Sequence, residues 1–237
     1  MRREGILIFL LTLLLGVTIW VTSLKHIGVY RVFTFGDLFY SAWAHLKMVS
    51  VAVVIATSLG VPLGILITRP GFERLVLPVI GGASIGQTIP SLAVIAVMAP
   101  LLGFGFRSAV VALVIYGVLP VVRNTYASIR SIDPAVIEAA RGMGMTRLQI
   151  AIRIELPLAR PVIMAGIRIS TVITVGTAEL AVLVGGAGLG KITLTGVFAR
   201  EALIILQGAA PTAAMAIVLG FFLQSMEKWM TPRGIAQ

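Results

Sequence analysis

The chain contains no cysteine, so it carries neither a disulfide framework nor a thiolate metal site. Charge is scarce as well: Asp, Glu, Lys and Arg together make up 12% of 237 residues, about half the share of an average soluble domain. Aromatic residues account for 7%, and no clustered set of them falls within the apolar stretches. A cage of aromatic faces is the usual device for recognising a quaternary ammonium. Its absence means that selection of such a solute is not expected to reside in this chain.

What remains is largely apolar. Hydrophobic residues make up 58% of the chain and the mean hydropathy is +1.04, values that belong to an all-α membrane protein. A span needs about 20 apolar residues with few charges. About six such runs are read, at roughly 6–24, 46–67, 75–100, 107–122, 161–184 and 203–223. The first follows Arg2 and Arg3, exceeds the length of a signal-peptide apolar region and lacks an Ala-x-Ala-like end, so it reads as an uncleaved anchor.

Lysine and arginine accumulate in short cytoplasmic loops. With the N-terminus inside, Arg2, Arg3, Arg69, Arg74, Arg123, Arg130, Arg141, Arg147, Arg153, Arg160, Lys228 and Arg233 fall inside. Lys25, Arg31, Lys47, Arg107, Lys191 and Arg200 fall outside, and Arg168 lies just within a span. Both termini are therefore expected in the cytoplasm, and the net charge of +10 is read as a topology signal ahead of a nucleic-acid footprint.

The stretch GGAGLGKIT, Gly185 to Thr193, matches the spacing Gly-x-x-x-x-Gly-Lys of a phosphate-binding loop. Three features count against ATP binding there. Ile192 occupies the place where a Ser or Thr would hold magnesium, the segment before it is an apolar run, and the topology puts it on the outer face. Its glycines are read instead as a non-helical turn near the outer interface.

The longest inside loop, 123–160, has helix-turn-helix punctuation. Asp133 is placed to cap a helix opening at Pro134, which Gly142 or Gly144 should close. Thr146 and Gln149 have the form of a capping box for a second helix, which Pro157 is expected to end. DNA reading by this unit is disfavoured, because flanking spans clamp it to the bilayer and its small residues offer few base-reading groups. Those small residues instead form a surface that another protein can approach closely.

From Glu138 the sequence reads Glu138-Ala139-Ala140, three residues, Gly144, nine residues, Ile154, one residue, Leu156, Pro157. This resembles the EAA motif of bacterial ABC importer permeases at every defined position. The resemblance extends through GQTIPSLAVIAVMAPLLGFG, YGVLPVVRNTY and the Gly-rich turn, over most of residues 45–225. Within that superfamily the chain is most similar to the osmoprotectant permeases serving glycine betaine, choline or carnitine.

The resemblance implies a type I ABC importer permease-like fold in the bacterial inner membrane. Residues 1–44 would be an anchor and outer loop, 45–225 the permease core and 226–237 a cytoplasmic tail. It also implies partners: a separate cytoplasmic subunit that binds ATP and Mg, an extracytoplasmic solute-binding protein, and a second permease copy or paralogue. No cofactor and no nucleic acid are expected on this chain, nor enzyme activity of its own. Glu138, Ala139, Ala140, Gly144, Ile154, Leu156 and Pro157 would form the ATPase-coupling unit.

Polar groups inside spans are candidates for the solute path, because unsatisfied polar groups in lipid are costly. They are Gln87, Thr88 and Ser91 in the third run and Thr174, Thr177 and Glu179 in the fifth. Helix packing is the competing role for each hydroxyl. The resemblance implies a small or hydroxyl residue where Glu179 stands, so this carboxylate is a departure. It either faces the passage and attracts a cationic solute or pairs with a base such as Arg168, Lys191 or Arg200. Two alternative functions remain: an ABC permease for another small polar solute such as an amino acid, and an ion-driven secondary transporter.

Overall fold

The structure, a computed structural model, describes residues 3–23 and 33–230. Among these residues every regular element is helical. Ten α-helices follow in order: α1 (Arg3–Ser23), α2 (Phe35–Leu66), α3 (Gly82–Thr88), α4 (Ser91–Leu102), α5 (Phe106–Arg130), α6 (Pro134–Gly142), α7 (Arg147–Ile150), α8 (Leu156–Ala178), α9 (Gly190–Ala199) and α10 (Ala202–Met230). Lys25, Arg31 and the residues after Met230 lie outside the described residues, as do Arg2 and Arg233 among the orientation charges.

Four stretches are long and apolar enough to cross a membrane: Phe35–Leu66, Phe106–Arg130, Arg147–Ala178 and Ala202–Trp229. The expected third span, 75–100, is not one helix. A short 3-10 turn (Glu73–Leu75), a π-turn (Leu77–Gly81), α3 and α4 divide it. Pro90 is the cause. It disfavours the helical region for the residue before it, and Ile89 accordingly adopts φ −71°, ψ 130°. Hydropathy averaged over a window does not register that break.

Two further boundaries differ from the sequence reading. Helix α5 continues to Arg130, past the expected end at 122, so the loop begins only after Arg130. Pro157 does not end a helix either. Residues Ala151–Glu155 form a π-turn in which the Leu156 amide donates to the Ala151 carbonyl, and helical backbone runs on from α7 through it into α8. The wider turn absorbs the amide that proline lacks and the space its ring needs.

Helix α5 is the centre of the bundle, lying against α2, α4 and α8. Glycines set the closest approaches. Gly60 and Gly64 on one face of α2 abut Val121 and Thr125 of α5, where a Cβ at Gly64 would fall 2.6 Å from the Thr125 Cβ. Gly166 of α8 similarly meets Asn124 and the Pro120 carbonyl. Small residues let helices in lipid approach until backbones touch, and that contact replaces a hydrophobic driving force that lipid does not supply. The core is completed by Met48, Val49 and Ala52 of α2, Ile95 and Ala99 of α4, Ala109 and Leu113 of α5, and Val175 and Ala178 of α8. Large apolar side chains point outward elsewhere, as lipid permits, among them Phe39, Leu77 and Phe104.

Candidate functional site

Two regions carry polar chemistry, one at each end of the long helices. At the first end, the Asp133 carboxylate accepts from the Ala135 amide at 2.8 Å and caps α6, with Pro134 in its first turn. Gly144 closes the helix in the left-handed region at φ +79°. There the Met145 amide donates to the Ala140 carbonyl at 3.1 Å and the Gly144 amide to Arg141 at 2.9 Å, satisfying carbonyls the helix leaves open. The capping box then opens α7: the Gln149 amide donates to the Thr146 hydroxyl at 3.3 Å, and the Thr146 amide to the Gln149 side chain at 2.8 Å. The sequence reading of this helix-turn-helix therefore holds in its caps.

The motif residues divide between two faces. Glu138, Ala139 and Gly144 are exposed, whereas Ala140 is buried. Ile154, Leu156 and Pro157 are half-buried, with Leu156 packed beside Ile129, Ala159 and Ile163. Leu156 thereby ties the unit to the bundle. Two apolar side chains beside the small-residue face were not singled out by sequence: Met143 and Leu148, 73% and 69% exposed. Nothing in a hydropathy pattern separates an apolar residue kept for a partner from one kept for the core. Behind α6 lies a crevice of about 820 Å³ lined by Arg69, Arg130, Arg141, Arg147 and Glu155, where the Arg69 guanidinium and the Glu155 carboxylate pair at 2.5 Å.

At the other end, Gly185 (φ +83°) turns the chain after a 3-10 turn at Leu180–Val184, and α9 begins at Gly190. The Gly105 amide donates to the Val184 carbonyl at 2.6 Å, and the Gly186 amide to Ala181 at 2.9 Å. Helical backbone precedes the glycines where a phosphate-binding loop has a strand, and Lys191 points to the exterior.

The candidate path residues are brought together only in part. Gln87, Thr88 and Ser91 flank the break at Pro90. The Gln87 side-chain Nε2 donates to the Tyr116 carbonyl at 3.4 Å, and the Tyr116 hydroxyl donates to the Ile89 carbonyl, which ties the broken segment to α5. Thr174 is fully buried, its hydroxyl close to Gly117 beside Ser170, whose hydroxyl donates to the Gly117 carbonyl at 2.7 Å. It occupies a helix contact, the packing role that sequence left open. Thr177 is half-buried.

Glu179 sits just past the end of α8 and accepts a hydrogen bond from the Thr212 hydroxyl of α10. Among the described residues no Lys or Arg lies within ion-pair distance of it. Arg168 instead stands 3.8 Å from Glu227. Thr212 lies 33 residues downstream, beyond any local sequence signal.

The chain matches the model of the family described as binding-protein-dependent transport system inner membrane component over residues 60–234. It is 42% identical over 200 residues to the choline transport system permease protein OpuBB of Bacillus subtilis, covering 84% of this chain and 91% of that protein. It is 38% identical over 226 residues to the osmoprotectant import permease protein OsmY of Salmonella typhimurium, covering 94% and 93%. In fold it resembles a chain of the MetNI methionine ABC transporter, with a TM-score of 0.75, 24% identity and coverage of 84% of this chain and 98% of that one.

Proposed function

The chain belongs to the family of binding-protein-dependent transport system inner membrane components, and on that premise we propose that it is the permease subunit of an ABC importer for an osmoprotectant of the choline or betaine type. The observation that carries this reading is the extended match to osmoprotectant permeases, across nine-tenths of their length. It is a multi-pass inner-membrane protein. We place both termini and the α6–α7 unit in the cytoplasm, with α1 and the broken α3–α4 segment completing six membrane elements.

In this arrangement the chain hydrolyses nothing. A separate ATPase subunit, carrying ATP and Mg, receives the exposed face of α6 in a groove. Glu138, Ala139 and Gly144 form the contact, with Met143 and Leu148 at its margin, while Ala140, Ile154, Leu156 and Pro157 hold the unit in place. A helix laid in a groove is a recurrent docking mode, and its small residues permit close approach. An extracytoplasmic binding protein selects the solute, and a second permease subunit completes the passage. Gln87, Thr88 and Ser91, gathered at the Pro90 break, line that passage together with Thr177 and Glu179.

Co-expression with the ATPase and binding-protein subunits, followed by uptake of labelled choline and glycine betaine into proteoliposomes, tests the reading. ATP-dependent uptake, competed by choline and not by methionine, is expected. Methionine uptake without betaine uptake would favour the amino-acid alternative, and uptake driven by an ion gradient alone would refute an ABC mechanism.

A further inference from the structure

The crevice behind α6 draws arginines from four separate places in the chain. Arg69 follows α2, Arg130 ends α5, Arg141 lies on α6 and Arg147 opens α7. One acid, Glu155, lines the same space, and Arg69 already holds it. Among the described residues no carboxylate lies within ion-pair distance of Arg130, Arg141 or Arg147. Arg130 and Arg141 also line an adjoining lobe of about 330 Å³ together with Glu138, which pairs with neither. Like charges gathered around one cavity repel one another, a cost that an entering anion removes.

We propose that this crevice binds the phosphate headgroup of an anionic phospholipid, with Arg130, Arg141 and Arg147 as its ligands. Topology alone accounts for arginine on the inside face, but it fixes only the side on which a charge lies and does not make side chains from separate elements converge. Height selects the occupant. Helices α2 and α5 are both long and apolar enough to cross a membrane, and Arg69 and Arg130 stand at or just beyond their last turns. That is the level of the lipid phosphates, in the headgroup layer roughly 5–8 Å thick on each side of the hydrocarbon. Basic pockets between spans on the cytoplasmic side are known seats for such headgroups. Guanidinium forks also match phosphate oxygens two at a time, which an ammonium does not. At about 820 Å³ the space exceeds a single phosphate group, and Ile137, Met145 and Ile150 on its wall suit the glycerol and first methylenes that a lipid brings with it.

A headgroup seated here bridges the end of α5 to both α6 and α7, because each contributes one of its ligands. Its place in the inner leaflet rests on the cytoplasmic placement of α6 and α7 proposed above. Binding itself does not, since the crevice and its charges are the same in detergent.

Native mass spectrometry of the full chain in non-ionic detergent, titrated with dioleoyl phosphatidylglycerol or dioleoyl phosphatidylcholine, reads this binding without solute or ATPase, so it stands or falls apart from the transport reading. Saturable binding of phosphatidylglycerol in preference to phosphatidylcholine is expected, and equal binding of the two overturns the proposal. Replacing Arg130, Arg141 and Arg147 together by Gln should weaken phosphatidylglycerol binding about fivefold per charge, roughly 100-fold in all. Arg123→Gln with Arg153→Gln, exposed arginines outside the crevice, should leave it unchanged; an equal loss per charge there would show that net charge attracts the lipid, and overturns the proposal. Glu155→Gln removes the one acid of the crevice lining and should tighten binding about fivefold, a gain that misfolding cannot produce. If the triple variant melts below wild type, this gain decides, and unchanged or weaker binding in Glu155→Gln overturns the proposal. Inorganic phosphate that binds as tightly as phosphatidylglycerol would make the ligand a free anion and overturn a lipid site. Phosphatidylglycerol binding that survives in the triple variant while affinity for the purified ATPase is lost would assign the crevice to the protein partner, which also overturns it.

Discussion

Gly144 combines two properties that a substitution series can separate. Its φ of +79° lies where a side chain is strained, yet a Cβ built there meets nothing within 4 Å. Placing an L-residue in the left-handed region costs about 1–2 kcal/mol, and asparagine tolerates the region better than alanine. Gly144→Ala should therefore destabilise the α6–α7 turn by roughly 1 kcal/mol and Gly144→Asn by less, with no steric clash inside the chain. The proposed contact with the ATPase would add a separate effect, because atoms inserted into a close-packed contact cost about 1–3 kcal/mol, a roughly 5- to 150-fold loss of affinity. Asparagine is the larger side chain and the smaller backbone perturbation. If the partner groove requires a bare surface, Asn should weaken ATPase binding at least as much as Ala while leaving thermal stability nearer to wild type. The assay pairs thermal unfolding of the detergent-solubilised chain with titration of immobilised permease by the purified ATPase. Wild-type affinity for Gly144→Asn, with loss in Gly144→Ala that tracks its loss of stability, would show that the glycine serves the backbone alone.

Three other outcomes are expected. Gly64→Val should lower the unfolding temperature measurably, by about 1–3 kcal/mol of overpacking, because its Cβ meets Thr125 at 2.6 Å and the Val122 carbonyl at 2.9 Å; Gly142→Ala, with nothing within 4 Å, should be neutral or stabilising in the same melt. Arg69→Met leaves the Glu155 carboxylate, 12% exposed, without its partner; with Arg69 itself 28% exposed, solvent screening reduces the loss to about 1–2 kcal/mol, and the double variant with Glu155→Met should recover much of it in a double-mutant melt. Gln87→Leu alters an exposed side chain at the Pro90 break, so uptake should fall while the unfolding temperature stays within measurement error, and equal loss of both would assign Gln87 a structural role.

The sequence announced its local devices clearly. Asp133, Pro134, Gly144 and the Thr146–Gln149 box act over three or four residues, and each stands in the structure where spacing put it. The membrane class was equally plain, since it depends only on summed hydropathy. The boundaries were harder for a physical reason. A polar stretch such as Arg123–Arg130 marks where water begins, not where hydrogen-bonded backbone stops, and α5 continues through it. Prolines were ambiguous in the opposite direction. Pro90 breaks a run that averaging made continuous, while Pro157 is accommodated by a π-turn that no composition signal announces. Glu179 stood out as a carboxylate within an apolar run, but its partner Thr212 comes from another helix, and sequence proximity holds no record of it.

The unbroken path from α7 through the π-turn into α8 makes Arg147–Ala178 a single rod, about 48 Å long at 1.5 Å per residue. Its tightest crossing with α5 is at Gly166, where backbone meets the Pro120 carbonyl and the Asn124 side chain. That contact is a fulcrum with unequal arms, about 29 Å toward Arg147 and about 18 Å toward Ala178. Tilting the rod so that Arg147 moves 2 Å sideways carries Ala178 about 1.2 Å the opposite way, a reduction in stroke with a matching gain in force. The residue next after the short arm is Glu179, which accepts from Thr212, so a tilt of this rod would be felt, reversed and geared down, at its hydrogen bond to α10. The π-turn at Ala151–Glu155 is then the compliant joint, set near the driven end where bending wastes least of the motion.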